Sequence, residues 1–558
     1  MEARPCQITE FFNGTKQMLV PLFQRAYEWK TEQWETLWSD ILERYEQFES
    51  GATVSHFTGA IVTAPARSVP VGVSKFLVID GQQRLTTIAL LLCALRSLFE
   101  PDSKQARRIT KLLLNEDDDG LDYYKILPTQ PDRPSFQALI DSPDSAPTSQ
   151  FKSAFDFFRK RLQGKDSDDK AIDLARFFDT VQNRINVVMI QLGDVDDPYL
   201  IFESLNGKGT ALTQADLVRN YLLLRIHTQD QQAVYNQSWL PLQNRLGDSL
   251  PEFIRQYLIM ERGEDVPRGD VYSVLKRQIA ALDDSQIPAQ VARLNHFSTL
   301  YKQIIEPATI PDRDREVREH LARIQRWELT TSHPLLLKLY ELYAAGRLTP
   351  AGFCHCIKMI ESFAIRRAIC NVATNQLKRI FILLTKDLDV TNPLDAVLRG
   401  LTGGQLGRRW PKDDEFERAW VTYRAYSNPI DRCRFILESI ERAHPHKEPA
   451  SFEKATIEHV LPQTPSEDWH RELGPTLDAQ RDLWAHTIGN LTLTAYNPEL
   501  SNASFARKKV IYAESHFSLN RYFDPLPGWD SKTIEARAHA LLVLAKRLWP
   551  RPDIPGAS

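Results

Sequence analysis

The stretch from Lys75 to Phe99, KFLVIDGQQRLTTIALLLCALRSLF, constrains the fold more than any other part of this 558-residue chain. Residues 76–79 are apolar and predict a short buried strand, and Asp80-Gly81 predicts a turn. From Leu85 onward the pattern is helical and almost wholly apolar, which indicates a helix that is buried on all sides. The sequence therefore predicts a strand–turn–helix unit around which the rest of a domain packs.

A polar cluster of Asp80, Gln82, Gln83 and Arg84 lies at this strand-to-helix junction. The start of a helix offers unpaired N–H groups and the positive end of the helix dipole, both of which suit a phosphate. Arg84 would add a fork of donors for phosphate oxygens, and Asp80 could hold a magnesium ion or a ribose hydroxyl. The alternative is a well-capped strand–turn–helix with a structural salt bridge, and these residues alone leave both open.

Length and composition narrow the class of protein. A chain of 558 residues predicts about three or four domains, and 42% hydrophobic with 25% charged residues is ordinary for a soluble globular protein. The net charge of −3 provides no general basic surface, so any contact with nucleic acid must be a local patch. We find no signal-peptide pattern at the start and no apolar stretch long enough for a bilayer, so we expect a cytoplasmic protein without a membrane segment.

Six cysteines in a chain of this length do not indicate a disulfide framework. Cys354-His355-Cys356 has the composition of a metal site, but no second ligand pair follows at zinc-finger spacing. The sequence therefore favours ordinary thiols on a helix at these positions.

Hydrophobic periodicity predicts a mixed amino-terminal region and a helical middle. Polar, proline-containing residues 128–150 predict a surface loop, whereas Thr213 and Asp216 form a capping box that starts a helix. The turn Asn206–Gly209 could be a second functional loop facing the first, or simple turn chemistry. The remaining predicted elements are helices at 31–48, 151–162, 334–345, 361–384 and 432–443, and strands at 57–63 and 185–192.

A second polar constellation lies near the carboxyl end. The β-like run 456–462, TIEHVLP, carries Glu458 and His459, and Asn490 stands 31 positions after His459, just before a second predicted strand. Asn497 and Asn502 follow, and then a predicted helix at 505–515. A histidine on one strand, an asparagine beside a second strand and polar ligands near a helix form the layout of a ββα-metal (HNH) nuclease.

The chemistry of such a nuclease needs these residue types. Neutral His459 can take a proton from the water that attacks phosphorus, while carboxylate and amide oxygens can hold Mg²⁺. The ion would stabilise the charge that develops on the phosphate. Arg507, Lys508 and Lys509 form a local basic cluster that we expect to contact the DNA backbone.

Together these stretches resemble the GmrSD family of modification-dependent (type IV) restriction endonucleases, whose relatives include SspE and BrxU. FQRAYEW at 23–29, IDGQQRLTT at 79–87, the segment 201–223 and ESFAIRRAIC at 361–370 are similar to its GmrS-type module and helical continuation. IEHVLPQ at 457–463 and IGNLTLT at 488–494 resemble its GmrD-type module. Both modules, in this order, lie in one chain.

The resemblance implies a mainly α fold with α+β parts and three domains. These are a ParB/sulfiredoxin-like NTP-binding domain at 1–230, a helical connecting domain at 231–405 and an HNH nuclease domain at 406–558. By the family pattern, the NTP-binding residues are Asp80, Gly81, Gln82, Gln83, Arg84, Thr86, Gln24 and Arg25. No Gly-x4-Gly-Lys-Ser/Thr sequence is present, so an ordinary P-loop is not the nucleotide site.

The resemblance also implies roles at the carboxyl end. His459 is the general base, Asn490 organises the loop, and Glu458 joins Asn497 or Asn502 as metal ligands, with the choice between the asparagines left open. Nucleotide hydrolysis would control cleavage of modified phage DNA, and the modification, the preferred NTP and the oligomeric state, including a homodimer, remain open. The alternatives are a nucleotide-responsive DNA-binding protein with a degenerate nuclease domain and a less selective nuclease toxin. Phe23, Tyr27 and Trp29 could contact a modified group or belong to the core.

Overall fold

The computed structural model describes residues 2–21, 24–47, 56–66, 72–193, 213–226, 228–311, 314–427, 429–445 and 451–552. The chain divides into two compact units, one formed by residues 1–240 and 275–292 and the other by 241–274 and 293–558. The described residues are mostly helical with a mixed sheet in the first unit, so the expected class, mainly α with α+β parts, is confirmed. No helix in these ranges is long and apolar enough to cross a membrane.

The first unit is built on a six-stranded mixed sheet in the order β1-β6-β3-β4-β2-β5. The sheet is mixed because β3 is antiparallel to β4 on one side and parallel to β6 on the other. The strands are β1 (Glu2–Gln7), β2 (Lys16–Leu19), β3 (His56–Pro65), β4 (Ser74–Asp80), β5 (Ile126–Leu127) and β6 (Ile185–Gln191).

Helices of this unit pack around one that is almost wholly apolar. Every residue from Leu85 to Leu95 is buried, as the sequence predicts, since this helix is surrounded by its neighbours. The helices are α1 (Thr31–Gln47), α2 (Gln82–Arg96), α3 (Lys104–Leu113), α4 (Arg133–Asp141), α5 (Gln150–Leu162), α6 (Leu174–Arg184), α7 (Gln214–Leu224) and α8 (Thr228–Val234).

The middle of the chain is helical, as predicted. A π-helical turn at Tyr235–Trp239 connects α8 to the next helix. The helices are α9 (Leu240–Leu246), α10 (Leu250–Arg262), α11 (Val271–Ile279), α12 (Ile287–Ile305), α13 (Arg315–Arg326), α14 (His333–Ala344), α15 (Pro350–Ile369), α16 (Leu377–Lys386), α17 (Pro393–Thr402), α18 (Asp413–Val421) and α19 (Ile430–Ala443).

Two arginines inside apolar α15 find partners that the sequence could not identify. Arg366, with no exposed surface, donates to the carbonyl of Trp549 (2.6 Å) and pairs with Asp413 (2.8 Å). Arg367 donates to the carbonyl oxygens of Arg409 and Gly407, each at 2.9 Å. Hydrogen bonds to backbone carbonyls of later segments thus offset the unfavourable free energy of burying these two cations.

The carboxyl-terminal part combines two antiparallel strands with short helices. β7 (Thr456–His459) pairs with β8 (Leu491–Thr494), and the intervening chain forms α20 (Glu467–Leu473) and α21 (Leu477–Trp484). After β8 come α22 (Asn497–Leu500), α23 (Phe505–Ala513) and α24 (Ser531–Leu548). This element order agrees with the strand, strand and helix that the sequence predicts.

Three sequence expectations need correction. The predicted loop 128–150 contains α4, because Phe136 and Leu139 pack into the core. The predicted helix 361–384 is two helices, α15 and α16, since Asn371 adopts a left-handed conformation (φ +51°) between them. Helix α2 begins at Gln82 rather than Leu85.

Several other expectations can be compared with the structure only in part. The capping box of Thr213 and Asp216 is confirmed, and Tyr27 is a core residue. Phe23 and the turn Asn206–Gly209 lie outside the described residues. The three-domain division stays a prediction, and the two compact units follow different boundaries.

Candidate functional site

The junction between β4 and α2 depends on Gly81, which caps α2 in a left-handed conformation (φ +89°). A Cβ atom here would lie 2.9 Å from Cγ1 of Ile61 and 3.1 Å from the carbonyl oxygen of Ala60, so only glycine fits. Gly81 has no side chain to accept hydrogen bonds from the first N–H groups of α2. These backbone donors are what an anion uses when it binds at a helix start.

Gln82 and Gln83 hold the segment that precedes α1 against this turn. The Gln83 amide accepts from the N–H of Glu28 and donates to the carbonyl of Ala26, both at 2.9 Å. Nε2 of Gln82 donates to the carbonyl of Arg25 at 3.1 Å. Both amides therefore fix the neighbouring loop, a use that the sequence pattern did not indicate.

Gln24 and Arg25 lie in that same loop, close to the turn, and their part in a nucleotide site stays a prediction. Nε2 of buried Gln24 donates to the carbonyl oxygens of Val78 (2.5 Å) and Ile79 (2.9 Å) at the end of β4. The guanidinium of Arg25 pairs with Glu28 at 3.2 Å. Arg25 is partly exposed and keeps further donors for a ligand.

Arg84 points toward β3. Its Nη1 donates to the carbonyl of Ala60 at 2.9 Å, and a Cβ on Gly59 would lie 2.8 Å from its Nη2. Burial lowers the pKa of Arg84, and the carboxylate of Asp80 partly offsets this effect. Thr86, the remaining predicted cofactor residue, is buried inside α2.

The second site lies where β7 and β8 pair. Glu458 stands opposite Thr492, and His459 stands opposite Leu491. Buried Asn490 lies immediately before β8 and fixes the chain that follows His459. Its Oδ1 accepts from the N–H of Leu461 at 2.7 Å, and its Nδ2 donates to the carbonyl of the same residue at 2.9 Å. Asn490 is thus bonded to both backbone polar groups of Leu461, and its loop-organising role stays a prediction.

His459 is 7% exposed and its ring is surrounded by polar and aromatic groups. Its Nε2 lies 3.3 Å from Nδ1 of His486, and its Nδ1 lies 3.4 Å from the amide of exposed Gln463. The ring of Tyr426 packs edge-on against it, with 4.4 Å between ring centroids. Burial, together with the charges of His486 and Lys508, lowers the pKa of His459 to about 3. The imidazole is therefore neutral at physiological pH.

Lys508 occupies a different place from the one that the sequence indicated. The side chain has no exposed surface, and its ammonium bonds to Oε1 of Glu458 (2.5 Å) and to the carbonyl of His459 (2.8 Å). The expectation that Lys508 contacts the DNA backbone is wrong for this structure, because a fully buried ammonium cannot reach a phosphate. Burial raises the pKa of Glu458 and lowers that of Lys508.

The other predicted residues lie around this pair. Nδ2 of Asn497 donates to the carbonyl of Ile457 at 3.2 Å, which ties the start of α22 to β7. Asn502 is exposed in the turn before α23. On α23 itself, Arg507 is exposed, whereas half-buried Lys509 donates to the carbonyl of Leu526 at 2.9 Å.

Sequence reasoning missed His486 and Tyr426, which stand against His459, and Arg537 on α24. The guanidinium of Arg537 donates to the carbonyl oxygens of Gly489 (2.9 Å) and Leu491 (2.7 Å), on either side of Asn490. A Cβ on Gly489 would lie 2.4 Å from a carbonyl of α24. The Gly-Asn pair before β8 was the available signal, since a glycine there indicates close backbone approach.

Comparison with known families places both sites within matched regions. The model for the GmrSD restriction endonuclease N-terminal domain matches residues 8–223, and the model for the GmrSD restriction endonuclease C-terminal domain matches residues 410–544. No curated protein matches the chain. The two matched regions contain the glycine turn of α2 and the β7–β8 pair, and together they cover more than half of the sequence. The chain therefore belongs to the GmrSD family of restriction endonucleases.

Proposed function

We propose that this restriction endonuclease cleaves modified phage DNA at an HNH-type site centred on His459, under control of a nucleoside triphosphate bound at the Asp80–Arg84 turn. The observation that carries the proposal is the arrangement at the β7–β8 pair, where β7 carries Glu458 and His459 in succession, Asn490 fixes the chain after His459, and Asn497 is bonded to β7. The lowered pKa of His459 keeps its imidazole neutral, with one nitrogen able to accept a proton, but also makes it a weaker base than a histidine that titrates near neutral pH.

In this proposal His459 accepts the proton of the attacking water through a ring nitrogen. His486 and Tyr426 hold the ring between them, and Gln463 can rotate its amide so that Oε1 accepts from Nδ1–H. That hydrogen bond fixes the tautomer and leaves Nε2 unprotonated, so Nε2 can receive the proton once His486 has moved away from it. Asn490 keeps the following loop in place, so that the imidazole does not move during the transfer.

The residues present fit a hard divalent cation such as Mg²⁺. Glu458 supplies a carboxylate and Asn497 supplies an amide oxygen, both of which are ligand types that Mg²⁺ accepts. Lys508 already bonds to Oε1 of Glu458, so we assign the second carboxylate oxygen to the ion. We favour Asn497 over Asn502, because Asn497 is tied to β7 next to Glu458. When bound, the ion supplies charge stabilisation for the phosphate.

The nucleotide part of the proposal depends on the start of α2. Its uncapped N–H groups and the partly buried guanidinium of Arg84 both suit phosphate oxygens. Gln24, Gln82 and Gln83 hold the neighbouring loop, so they would shape the pocket rather than provide free donors.

The two activities should be separable by substitution. We expect His459→Ala to abolish Mg²⁺-dependent cleavage of modified phage DNA while NTP hydrolysis continues, and Arg84→Ala to weaken nucleotide binding. Exposed His470→Ala and Arg107→Ala are the matched controls, and each should behave like the wild type. Loss of both activities in folded His459→Ala, or unchanged nucleotide affinity of Arg84→Ala by calorimetry, would contradict the proposal.

The second candidate is a nucleotide-responsive DNA-binding protein, and the buried Lys508–Glu458 pair favours it because Lys508 competes with a cation for the carboxylate. Modified phage DNA with Mg²⁺ or with EDTA distinguishes the two. Binding without cleavage in Mg²⁺ would support the second candidate. Equal nicking of unmodified plasmid would instead indicate a less selective nuclease.

A further inference from the structure

A cluster of three potential metal ligands lies in the helical middle of the chain, outside both matched regions. Glu316 and His320 are four residues apart on α13, so they share one face of that helix. Cys354 on α15 meets them, and one ligand atom from each of the three lies within 4.8 Å of the others. In the described part of the chain this is the one such group of histidine, cysteine and acidic residues.

Cys354 is buried, and half-buried His320 has a ring nitrogen without a partner. The Cys354 side chain is 1% exposed. Nδ1 of His320 is buried and has no hydrogen-bond partner among the residues that the structure describes. A buried ring nitrogen left unsatisfied is costly, and such an atom calls for a water or an ion beside it. Nε2 of the same ring lies 3.7 Å from Oε1 of Glu316.

We propose that Glu316, His320 and Cys354 bind one Zn²⁺ ion. Thiolate sulfur, imidazole nitrogen and carboxylate oxygen are the three ligand types that zinc takes, whereas Mg²⁺ and Ca²⁺ select oxygen alone. Bonds of about 2.0–2.3 Å in a tetrahedral site would place the ligand atoms roughly 3.3–3.8 Å apart. Because the observed separations are at most 4.8 Å, the ligand atoms need to approach one another by up to about 1.0–1.5 Å.

Binding exchanges a proton for the metal. The Cys354 S–H bond breaks, the proton passes to solvent, and a sulfur–zinc bond forms without any change of oxidation state. Lys358 must also release Glu316, since its ammonium lies 3.6 Å from Oε1. The Lys358 side chain is 53% exposed and can turn into water, and exposed ion pairs of this kind contribute little stability.

Three protein ligands leave one position for water. Glu316 and His320 line a cavity of about 570 Å³, which His355 and Arg547 also border, and this cavity gives the fourth position access to solvent. Zinc at this place would link α13 to α15, the helix that carries Glu361, Arg366 and Arg367. Three protein ligands and an accessible fourth position are the pattern of an open zinc site rather than of a closed structural one.

The test uses full-length protein that has been stripped of metal with EDTA and then titrated with Co²⁺ and Zn²⁺. Thiolate ligation of Co²⁺ gives a sulfur-to-metal charge-transfer absorption band that oxygen and nitrogen ligands do not produce. We expect the band in the wild type and in Cys356→Ala, which removes a fully buried thiol from the same helix. Cys354→Ala should lose the band and bind Zn²⁺ more than about 100-fold more weakly, since even an outer-shell partner is worth about 10- to 100-fold.

Further variants separate this site from the nuclease site and from simple misfolding. His459→Ala should retain the charge-transfer band, because the band belongs to Cys354. His320→Gln and Glu316→Gln change more exposed positions and should weaken Zn²⁺ binding even if Cys354→Ala does not fold. Lys358→Met should strengthen Zn²⁺ binding by a few-fold. No band in the wild type, a band that persists in Cys354→Ala, or Lys358→Met with unchanged affinity would overturn the proposal.

Discussion

The buried ion pair between Lys508 and Glu458 makes a prediction opposite to the one that the sequence suggests. As a surface DNA contact, Lys508 could be replaced at little cost to stability. In the structure its side chain is 0% exposed, that of Glu458 is 5% exposed, and the two charges are 2.5 Å apart. Lys508→Met would therefore leave a carboxylate buried without its partner.

The magnitude follows from that burial. Removing one partner of a buried pair costs about 3–5 kcal/mol, and the carbonyl of His459 would also lose its donor. The double variant Glu458→Met with Lys508→Met should recover most of this loss, because apolar replacement of a whole buried pair is often neutral or stabilising. Arg507→Ala, at an exposed position of α23, should stay within about 0.5 kcal/mol of the wild type.

Hydrogen–deuterium exchange of peptides that cover β7 and α23 measures this effect locally, which suits a chain of two units. A loss of 3–5 kcal/mol corresponds to faster exchange by roughly two to nearly four orders of magnitude, since 1.36 kcal/mol is tenfold. Wild-type exchange in Lys508→Met would refute the reasoning. If that variant also bound DNA more weakly, with a salt slope lower by about one, Lys508 would be the surface contact that the sequence suggested.

Three further predictions concern the two candidate sites. The pKa of His459 is lowered to about 3 in the folded protein, so below pH 6.5 the unfolded chain takes up a proton at this histidine before the folded protein does. The free energy of unfolding should therefore be constant above pH 6.5 and fall toward pH 3 by at most about 4–5 kcal/mol. Between pH 7 and pH 4, urea denaturation should show a smaller loss of unfolding free energy for His459→Gln than for the wild type. An equal loss in both proteins would contradict this assignment. Asn490→Asp removes two buried amide donors and should cost roughly 2–6 kcal/mol in the same assay and eliminate cleavage, whereas wild-type stability would exclude the loop-organising role. Gly59→Ala should displace Arg84 and weaken nucleotide binding as Arg84→Ala does, without further loss in the double variant, while Gly72→Ala, also at positive φ but in open space, is the control that should bind normally.

Local patterns in the sequence were enough for the elements that frame both sites. The apolar run from Leu85 predicted a buried helix, and two short β-like runs followed by a helical segment predicted β7, β8 and α23. Errors arose where a single residue changes the backbone. Asn371 adopts a left-handed conformation after the end of α15, and neither the neighbouring residues nor the spacing of the apolar residues predicts this break.

Side-chain partners depended on contacts between segments far apart in the sequence. Periodicity gives a residue's face on its own element, but the element packed against that face is a property of the whole fold. The sequence indicated that Lys508 belongs to an exposed basic cluster, because it lies between Arg507 and Lys509. The sequence could not indicate that Lys508 pairs with Glu458, which lies 50 positions earlier.

The sequence by itself determined the family, the order of the two modules and the chemical types available at each site, since these depend on residue identity and spacing. The tertiary structure decided which polar side chains are hydrogen-bonded within the protein and are therefore not available to a ligand. It assigned Gln83 to a loop, Lys508 to a buried carboxylate and His486 to the ring of His459. The physical reason is that burial and hydrogen-bond partnership are set by packing in three dimensions, whereas a sequence pattern records only what each segment offers.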